Sequence, residues 1–405
     1  MKKISIYLIS ILCIISMIFA PAPTAYADTN SYDFGTKAYE YTKDFVLANP
    51  DRMALSSAVS NNASAYLYDF VSGYSDKCVV DEFTHAEDLE YTTLTTGHNV
   101  YVEMGDMTQN ILLIISHYDN YYTDDTDKNE GVYNATSVGL TMSFVEYFSV
   151  NLPSGFGVFF AFLDAEEIGL FGAERLRDYL EDKGYLNKVI LSIDFEYVGG
   201  GDNLYLYCDE LTREHESYFL QTFTINSLIP VPSNKNIVYT PSESGLDYVH
   251  PGLNTSNAYF YAKNIPCMTF LGGYWANDGT FFLESEVNPS MMYTKLDNIE
   301  NFDAVYGSSC KQRLSQLGDS LVAMIDRQDF VDNMLSSKEN QHFLLNLQKT
   351  AFDRWICVPV IVVFGVIVFF RYKNLSKKSN KSSKSTTSQS NTSTQDKKVF
   401  EEFGL

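Results

Sequence analysis

The sequence predicts an α/β fold, a three-layer sandwich in which a mixed, mostly parallel central sheet is flanked by helices, plus one C-terminal transmembrane helix. Two observations predict the layered domain. From residue 35 onward, segments with helical periodicity alternate with apolar runs of strand length, which is the pattern of an α/β domain. Several of these runs are apolar throughout, as expected for strands that are buried on both faces of a parallel sheet.

The individual elements follow from the same patterns. NILLIISHY is a continuous apolar run, whereas IGLFGAERLRDYLEDKG has helical periodicity and stops at Gly184. In chain order, helices are predicted at residues 35–50, 135–150, 168–184 and from about 299, and strands at residues 98–105, 110–118, 157–167, 188–199, 203–209 and 266–273. We expect these elements to form one domain over residues 28–330.

The first 27 residues have the composition of a secretory signal peptide. Lys2 and Lys3 precede an apolar run, and Ala25-Tyr26-Ala27 is a small-residue cleavage pattern. We therefore expect the domain to be extracellular.

A second apolar segment, WICVPVIVVFGVIVFF at residues 355–370, predicts a membrane-spanning helix. The run is slightly short, but Arg354 and Arg371 can extend it by snorkelling; a buried core helix is the alternative. Residues 331–354 are then a juxtamembrane helix or linker. The Lys/Ser/Thr-rich residues 371–405 are too polar to form a core, and their basic start predicts a disordered cytoplasmic tail.

The formal net charge is −22, and the region between the basic ends is still more acidic. Such a domain repels nucleic acid and anionic lipid and attracts cations or basic peptides, although solubility alone also explains the charge. Four cysteines lie in this region, and their wide spacing indicates neither a zinc knuckle nor a disulfide-dense scaffold. One or two disulfides among Cys78, Cys208, Cys267 and Cys310 remain open.

Three predicted strands end in polar clusters: SHYDN (116–120), DAEE (164–167) and DFEYVGG (194–200). A fourth polar stretch, EGVYNATS (130–137), opens a helix. The carboxyl ends of parallel strands meet at one edge of the sheet, which is where ligands bind in such folds. Several carboxylates beside one histidine at that edge would repel one another without a cation, and zinc is the usual choice for such a set. Taken singly, the histidine could be a hydrogen-bonded loop residue and the two glutamates could be acids at a helix N-terminus.

The set of motifs resembles the family-28 metallopeptidases, co-catalytic zinc exopeptidases that include bacterial aminopeptidases and glutamate carboxypeptidase. SHYDN, EGVYNATSVG, FAFLDAEEIGLFGAE, IDFEYVGG and YTKLDNIENFD occur in the order and approximate spacing of that family. DAEEIGLFGAE is the most specific of them, and the resemblance covers about residues 35–330.

The resemblance implies a role for each of five residues. His117 is similar to a ligand of the first metal, and Asp119 to the carboxylate that orients it. Glu166 resembles the general base that takes a proton from the attacking water, and Glu167 a ligand of the second metal. In IDFEYVG, Glu196 is preferred over Asp194 as the remaining ligand of the first metal.

Two positions depart from the family. The aspartate that bridges the two metals falls on Asn134, a neutral and weaker ligand, and the last histidine ligand falls on Tyr293, whose phenol seldom binds zinc at neutral pH. We therefore expect one zinc ion, held by His117 and Glu196 with Asn134 as a weak third ligand, and doubtful occupancy of a second.

Two other segments offer alternatives for cation binding. His250, in YVHPG, could supply a missing ligand, although an ordinary surface-loop residue is the simpler interpretation. Asp125, Asp127 and Asn129 alternate as in calcium loops, but Glu130 stands where such a loop needs glycine.

These features predict a membrane-anchored extracellular metallopeptidase, an exopeptidase of the aminopeptidase type, with a peptide or protein substrate, a lipid bilayer around its C-terminal helix and no nucleic-acid partner. A catalytically inactive pseudopeptidase that binds or scaffolds at the surface is the alternative. Glutaminyl cyclisation by a single zinc ion is a third possibility.

Overall fold

The computed structural model describes residues 32–50, 52, 57–84, 96–120, 130–208, 218–220, 228–230, 255–275, 281–282, 291–292 and 294–339. The predicted signal peptide, transmembrane segment and cytoplasmic tail lie outside these residues. None of the described helices is both long enough and apolar enough to cross a membrane.

Nine strands form the sheet within the described residues, in the order β1-β2-β4-β3-β5-β8-β6-β7, with β9 paired to β8. Four neighbouring strands, β4, β3, β5 and β8, run parallel, and β2 and β6 flank them antiparallel. The strands are β1 (Cys78–Phe83), β2 (Gly97–Gly105), β3 (Asn110–His117), β4 (Phe156–Leu163), β5 (Val189–Glu196), β6 (Asn203–Tyr207), β7 (Leu228–Pro230), β8 (Cys267–Trp275) and β9 (Phe281–Phe282).

Strand β3 shows why the centre of the sheet is buried on both faces. Leu112 and Ile114 pack in the larger hydrophobic core, whereas Ile111, Leu113 and Ile115 pack in a second core on the opposite face. Successive strand side chains point to opposite faces, so a continuous apolar run feeds both cores. The prediction from NILLIISHY is confirmed.

Helices cover both faces and complete the three layers. Side chains of α1, α2, α3 and α6 contribute to the larger core, and side chains of α4 and α5 contribute to the smaller one. The helices are α1 (Phe34–Ala48), α2 (Ser57–Ser72), α3 (Val132–Val150), α4 (Phe171–Asp182), α5 (Asn257–Tyr261) and α6 (Ile299–Ile325). The prediction of a mixed sheet flanked by helices is confirmed. Parallel pairs do not outnumber antiparallel ones among the described strands, since there are four of each.

Several elements differ from the sequence-based expectation. Strand β1 was not predicted, because an edge strand is partly solvated and this one includes Asp81 and Glu82 in place of an apolar run. Helices α2 and α5 were also missed. Helix α4 begins at Phe171, not at residue 168, because residues 167–170 form a turn that ends with Leu170 in the left-handed conformation (φ 61°).

The packed structure continues past residue 330. Phe330 and Met334 are buried in the larger core, and the Lys338 ammonium donates to the carbonyl oxygens of Asn187 and Val189, both at 2.8 Å. The four cysteines between the predicted terminal segments are all free thiols, so no disulfide joins them.

Candidate active site

The ends of β3, β4 and β5 bring three of the polar clusters together. Strand β3 lies between the other two, with His117 opposite Leu163 of β4 and Ser116 opposite Phe195 of β5. Parallel pairing in this register places the residues that follow β4 and the end of β5 on either side of His117.

His117 is buried and lies between two carboxylates. Its Nδ1 is 3.2 Å from Asp119 Oδ1, and its Nε2 is 3.2 Å from Glu196 Oε2. Burial alone would lower the pKa of His117, but the charges of Glu196 and Glu166 and the bond to Asp119 raise that pKa well above its usual value. Three of the residues singled out from the sequence are thus in direct contact.

Asn134 lies against the His117 ring in the first turn of α3. Its amide nitrogen is 2.8 Å from Nδ1 and 2.9 Å from Nε2, and its Oδ1 is buried without a hydrogen-bond partner among the described residues. Rotation of the amide by half a turn would exchange these two atoms. A buried amide oxygen without a donor is costly, and a cation would satisfy it.

Glu166, Asp194 and Glu196 form a compact buried group of carboxylates. One oxygen of each lies within 4.8 Å of the others. Asp194 and Glu196 are two residues apart on β5 and therefore share a face of the sheet. Burial, and then the charge of Glu196, raise the pKa of both Glu166 and Asp194 well above their usual values. The sequence interpretation preferred Glu196 to Asp194, and the structure brings both to the site.

Three consecutive buried polar residues at the start of α5, which sequence reasoning missed, complete this group. Ser256 donates to Glu166 twice, from its backbone N–H to Oε1 at 3.1 Å and from its hydroxyl to Oε2 at 2.5 Å. The backbone N–H of Asn257 donates to Asp194 Oδ2 at 3.3 Å. The Asn257 side chain donates to the Met268 carbonyl and the Thr269 hydroxyl, which anchors the segment to β8. The only signal in the sequence is the polar run Thr255-Ser256-Asn257.

Glu167 is held at the edge of the group. Its backbone N–H donates to Asp119 Oδ2 at 3.0 Å, and its Oε1 accepts a hydrogen bond from the Tyr197 hydroxyl at 2.9 Å. Burial raises the pKa of Glu167 to about 7, with a smaller contribution from the charge of Asp119. Because α4 begins at Phe171, neither Glu167 nor its neighbour Glu166 is an acid of the first helical turn.

Two non-glycine residues next to the site carboxylates have left-handed backbones. Ala165 precedes Glu166 with φ 57°, and Tyr197 follows Glu196 with φ 51°. Such conformations are costly outside glycine and cluster at functional sites.

A buried pair of opposite charges supports the helix that carries Asn134. Asp297 Oδ1 accepts hydrogen bonds from the backbone N–H groups of Val132 and Tyr133, which satisfies two free donors at the start of α3. The Arg52 guanidinium donates to the carbonyl oxygens of Tyr118, Glu130 and Gly131 at 2.8–3.0 Å, and so joins the His117 loop to α3. Tyr293, His250 and the loop 121–129 with Asp125, Asp127 and Asn129 lie outside the described residues.

The donor set fits a divalent cation. It contains one imidazole, a group of three carboxylates and the Asn134 amide. Three of its buried oxygens, Asn134 Oδ1, Asp194 Oδ1 and Glu196 Oε1, lack hydrogen-bond partners among the described residues. Nitrogen and carboxylate oxygen ligands together are characteristic of zinc and similar ions. Without a cation, this group is a concentration of buried negative charge, which His117 offsets within the part of the chain that the structure describes.

Comparisons with known proteins agree on the fold. No curated protein matches the sequence. A glutaminyl cyclase from an Acidobacteriales bacterium is similar, with 16% identity and a TM-score of 0.54 over 76% of this chain and 97% of that chain. A zinc aminopeptidase from Bacillus subtilis has 12% identity and a TM-score of 0.54 over 73% of this chain and 96% of that chain. A Zn-dependent exopeptidase from Parabacteroides distasonis has 16% identity and a TM-score of 0.53 over 73% of this chain and 99% of that chain. At these identities the likeness shows the fold. The sequence model of peptidase family M28 matches residues 99–315, more than half of the chain. The chain therefore belongs to peptidase family M28.

Proposed function

We propose that this protein is an extracellular zinc exopeptidase of the aminopeptidase type, anchored in the cell membrane by residues 355–370. The observation that carries the proposal is the contact of His117 with Asp119 and Glu196 beside the buried carboxylates Glu166 and Asp194. Membership of family M28 supports peptide hydrolysis, and the zinc aminopeptidase among the similar structures supports the aminopeptidase type.

The residues that would hold a first ion are His117 and Glu196, with Asn134 as a neutral third donor and Asp194 close by. Glu167 would be a ligand of a second ion, but Asn134 is a poor bridge between two dications. A zinc ion at this position would act as a Lewis acid and lower the pKa of water. With Nδ1 held by Asp119, His117 would bind the ion through Nε2, the ring nitrogen that faces Glu196.

In this proposal Glu166 is the general base. It takes a proton from the attacking water and returns it to the leaving amine. Burial keeps its pKa above that of an ordinary glutamate, which suits a base that must release its proton again near neutral pH. The two hydrogen bonds from Ser256 fix the orientation of the carboxylate, which favours proton transfer along one direction.

The charge of the site favours substrates with a free amino terminus. Glu166, Asp194 and Glu196 are buried acids, and the chain as a whole has a net charge of −22. The acidic field of the chain attracts a protonated α-amino group and repels a C-terminal carboxylate. This reasoning supports an aminopeptidase over a carboxypeptidase.

The test combines metal content with turnover. Purified protein should contain zinc and should hydrolyse aminoacyl chromogenic substrates, and a chelator should abolish the activity. Glu166→Gln should lower kcat about 1000-fold or more without loss of zinc, whereas Glu174→Gln on the surface of α4 should have no effect. Activity that survives Glu166→Gln would exclude this mechanism.

Removal of residues 355–405 should release the active protein from membranes into the medium.

A second candidate function, a non-catalytic surface module, is favoured by Asn134. This amide lies beside His117, where the family places a charged bridging ligand. If the purified protein binds substrate-like peptides without turnover, and Asn134→Asp with Tyr293→His gains peptidase activity, the chain is a pseudopeptidase. The glutaminyl cyclase among the similar structures raises glutaminyl cyclisation as one further possibility. The mass of the product from a glutaminyl peptide separates cyclisation from hydrolysis.

A further inference from the structure

Tyr197, the residue after Glu196, has a backbone conformation that tyrosine rarely adopts. Its φ is 51°, in the left-handed region that favours glycine. A tyrosine persists at such a position only when its surroundings and its side chain fix it there.

The turn that contains Tyr197 packs tightly against β8. A Cβ atom at Gly272 would clash with the carbonyl oxygen of Tyr197, and one at Gly201 would clash with the backbone of Gly273. These glycines let the two backbone segments approach closely, so the turn packs directly against β8. The position of Tyr197 therefore depends on this packing.

That side chain contacts two candidate ligands, one at the end of β3 and one in the turn after β4. Its hydroxyl donates to Glu167 Oε1 at 2.9 Å, and its ring lies edge-on to the His117 ring with centroids 5.7 Å apart. The backbone N–H of Glu167 is fixed separately by Asp119. Asp119 thus holds the main chain of Glu167, and Tyr197 holds its carboxylate.

We propose that Tyr197 is a positioning residue of the cation site, which holds the Glu167 carboxylate by a phenol hydrogen bond so that its second oxygen faces the ion. This inference rests on the proposed function, since it requires that the site bind a divalent cation. Hydrogen bonds to ligating carboxylates fix their orientation, and the loss of such a partner weakens metal affinity about 10- to 100-fold.

The test measures zinc affinity of the full-length protein, by competition with a chromophoric chelator and independently of any activity. Tyr197→Phe keeps the ring against His117 and removes only the hydroxyl. We expect it to weaken the binding of the zinc ion that Glu167 contacts, the weaker of the two where two ions bind, about 10- to 100-fold. The matched control is Tyr205→Phe, which removes the hydroxyl of another buried tyrosine, one that accepts from Asn203 on β6, and should leave zinc affinity unchanged.

A double-mutant cycle shows whether Tyr197 acts through Glu167. In a Glu167→Ala background, which removes both the acceptor of the Tyr197 hydroxyl and the ligand oxygen, Tyr197→Phe should have no further effect on zinc affinity. Equal zinc affinity of wild type and Tyr197→Phe, or the same loss with and without Glu167, would overturn the positioning role alone. A wild-type protein that binds no zinc would overturn the proposed function as well, so the wild-type measurement separates the two failures.

Discussion

Ser256 holds both carboxylate oxygens of Glu166, one through its backbone N–H and one through its hydroxyl. The two residues are 90 positions apart in the chain. The carboxylate of the proposed base is therefore oriented by the start of α5, whereas the turn on which Glu166 lies holds its main chain.

Ser256→Ala should destabilise the protein, because it leaves Glu166 Oε2 buried without its donor. The loss of one partner of a buried charged hydrogen bond costs about 1–3 kcal/mol. Urea unfolding at neutral pH should show a decrease of that size in the free energy of unfolding, and Ser256→Thr should recover most of it. Ser149→Ala, which removes a partly exposed hydroxyl bonded within α3, is the control and should change little. A Ser256→Ala protein as stable as wild type would contradict the hydrogen bond.

The stability of the metal-free protein should decrease as the pH rises from about 5 to about 8. Burial raises the pKa of Glu167 and Asp297 to about 7 in the folded protein, against about 4 in the unfolded chain. The folded state therefore binds more protons between these values, and each group costs up to about 1.4 kcal/mol per pH unit there. His117 acts in the same direction, because its raised pKa stabilises the folded state at low pH and this contribution is lost as the pH rises through that pKa.

Chelated protein unfolded by urea at pH 5.5, 6.5 and 7.5 measures this slope. Asp297→Asn should make it shallower, since the amide keeps an oxygen for the Val132 N–H without a charge. Saturating zinc should weaken or reverse the slope, because the ion competes with protons for the same carboxylates. A metal-free protein that becomes more stable toward pH 7.5 would contradict the burial of these acids.

Asn134→Asp should strengthen cation binding and weaken the metal-free fold. The substitution places another carboxylate in a site that already contains Glu166, Asp194 and Glu196. A carboxylate buried beside the His117 ring destabilises the folded protein when no ion is bound, and it stabilises a bound dication. We expect zinc affinity to rise at least about 10-fold and the melting temperature of the chelated protein to fall. Asn301→Asp on α6 is the control, and equal effects of the two substitutions would argue against a cation at Asn134.

The part of the site that comes from the ends of central strands could be predicted from the sequence. Apolar runs locate β3 and β5, and parallel pairing then brings His117 and Glu196 to one edge. Asp194 could have been included on the same grounds, since positions i and i+2 of a strand share a face. Ser256 could not have been predicted as a site residue. The five-residue helix that it precedes is too short to show a hydrophobic periodicity, and its partner Glu166 is remote in the chain. Tyr197 gave no signal either, because a left-handed backbone at tyrosine follows from tertiary packing and not from local preference.

Arg52→Lys should destabilise the protein by about 3 kcal/mol and also weaken zinc binding. The Arg52 guanidinium is fully buried and donates to four carbonyl oxygens, among them those of Tyr118 and Gly131, which flank His117 and Asn134 in the chain. A lysine ammonium cannot reach the same set from one position, and each buried carbonyl left without a donor costs about 1–3 kcal/mol.

Urea unfolding measures the stability, and zinc competition measures the affinity. Arg177→Lys is the matched control, because its guanidinium pairs with Glu174 and Asp178 at the surface, where an ion pair contributes less than about 1 kcal/mol. If Arg52→Lys lowers the free energy of unfolding but leaves zinc affinity unchanged, Arg52 stabilises the fold and does not set the position of the His117 loop relative to α3. If neither quantity changes more than in the control, the buried guanidinium does not carry the hydrogen bonds described above.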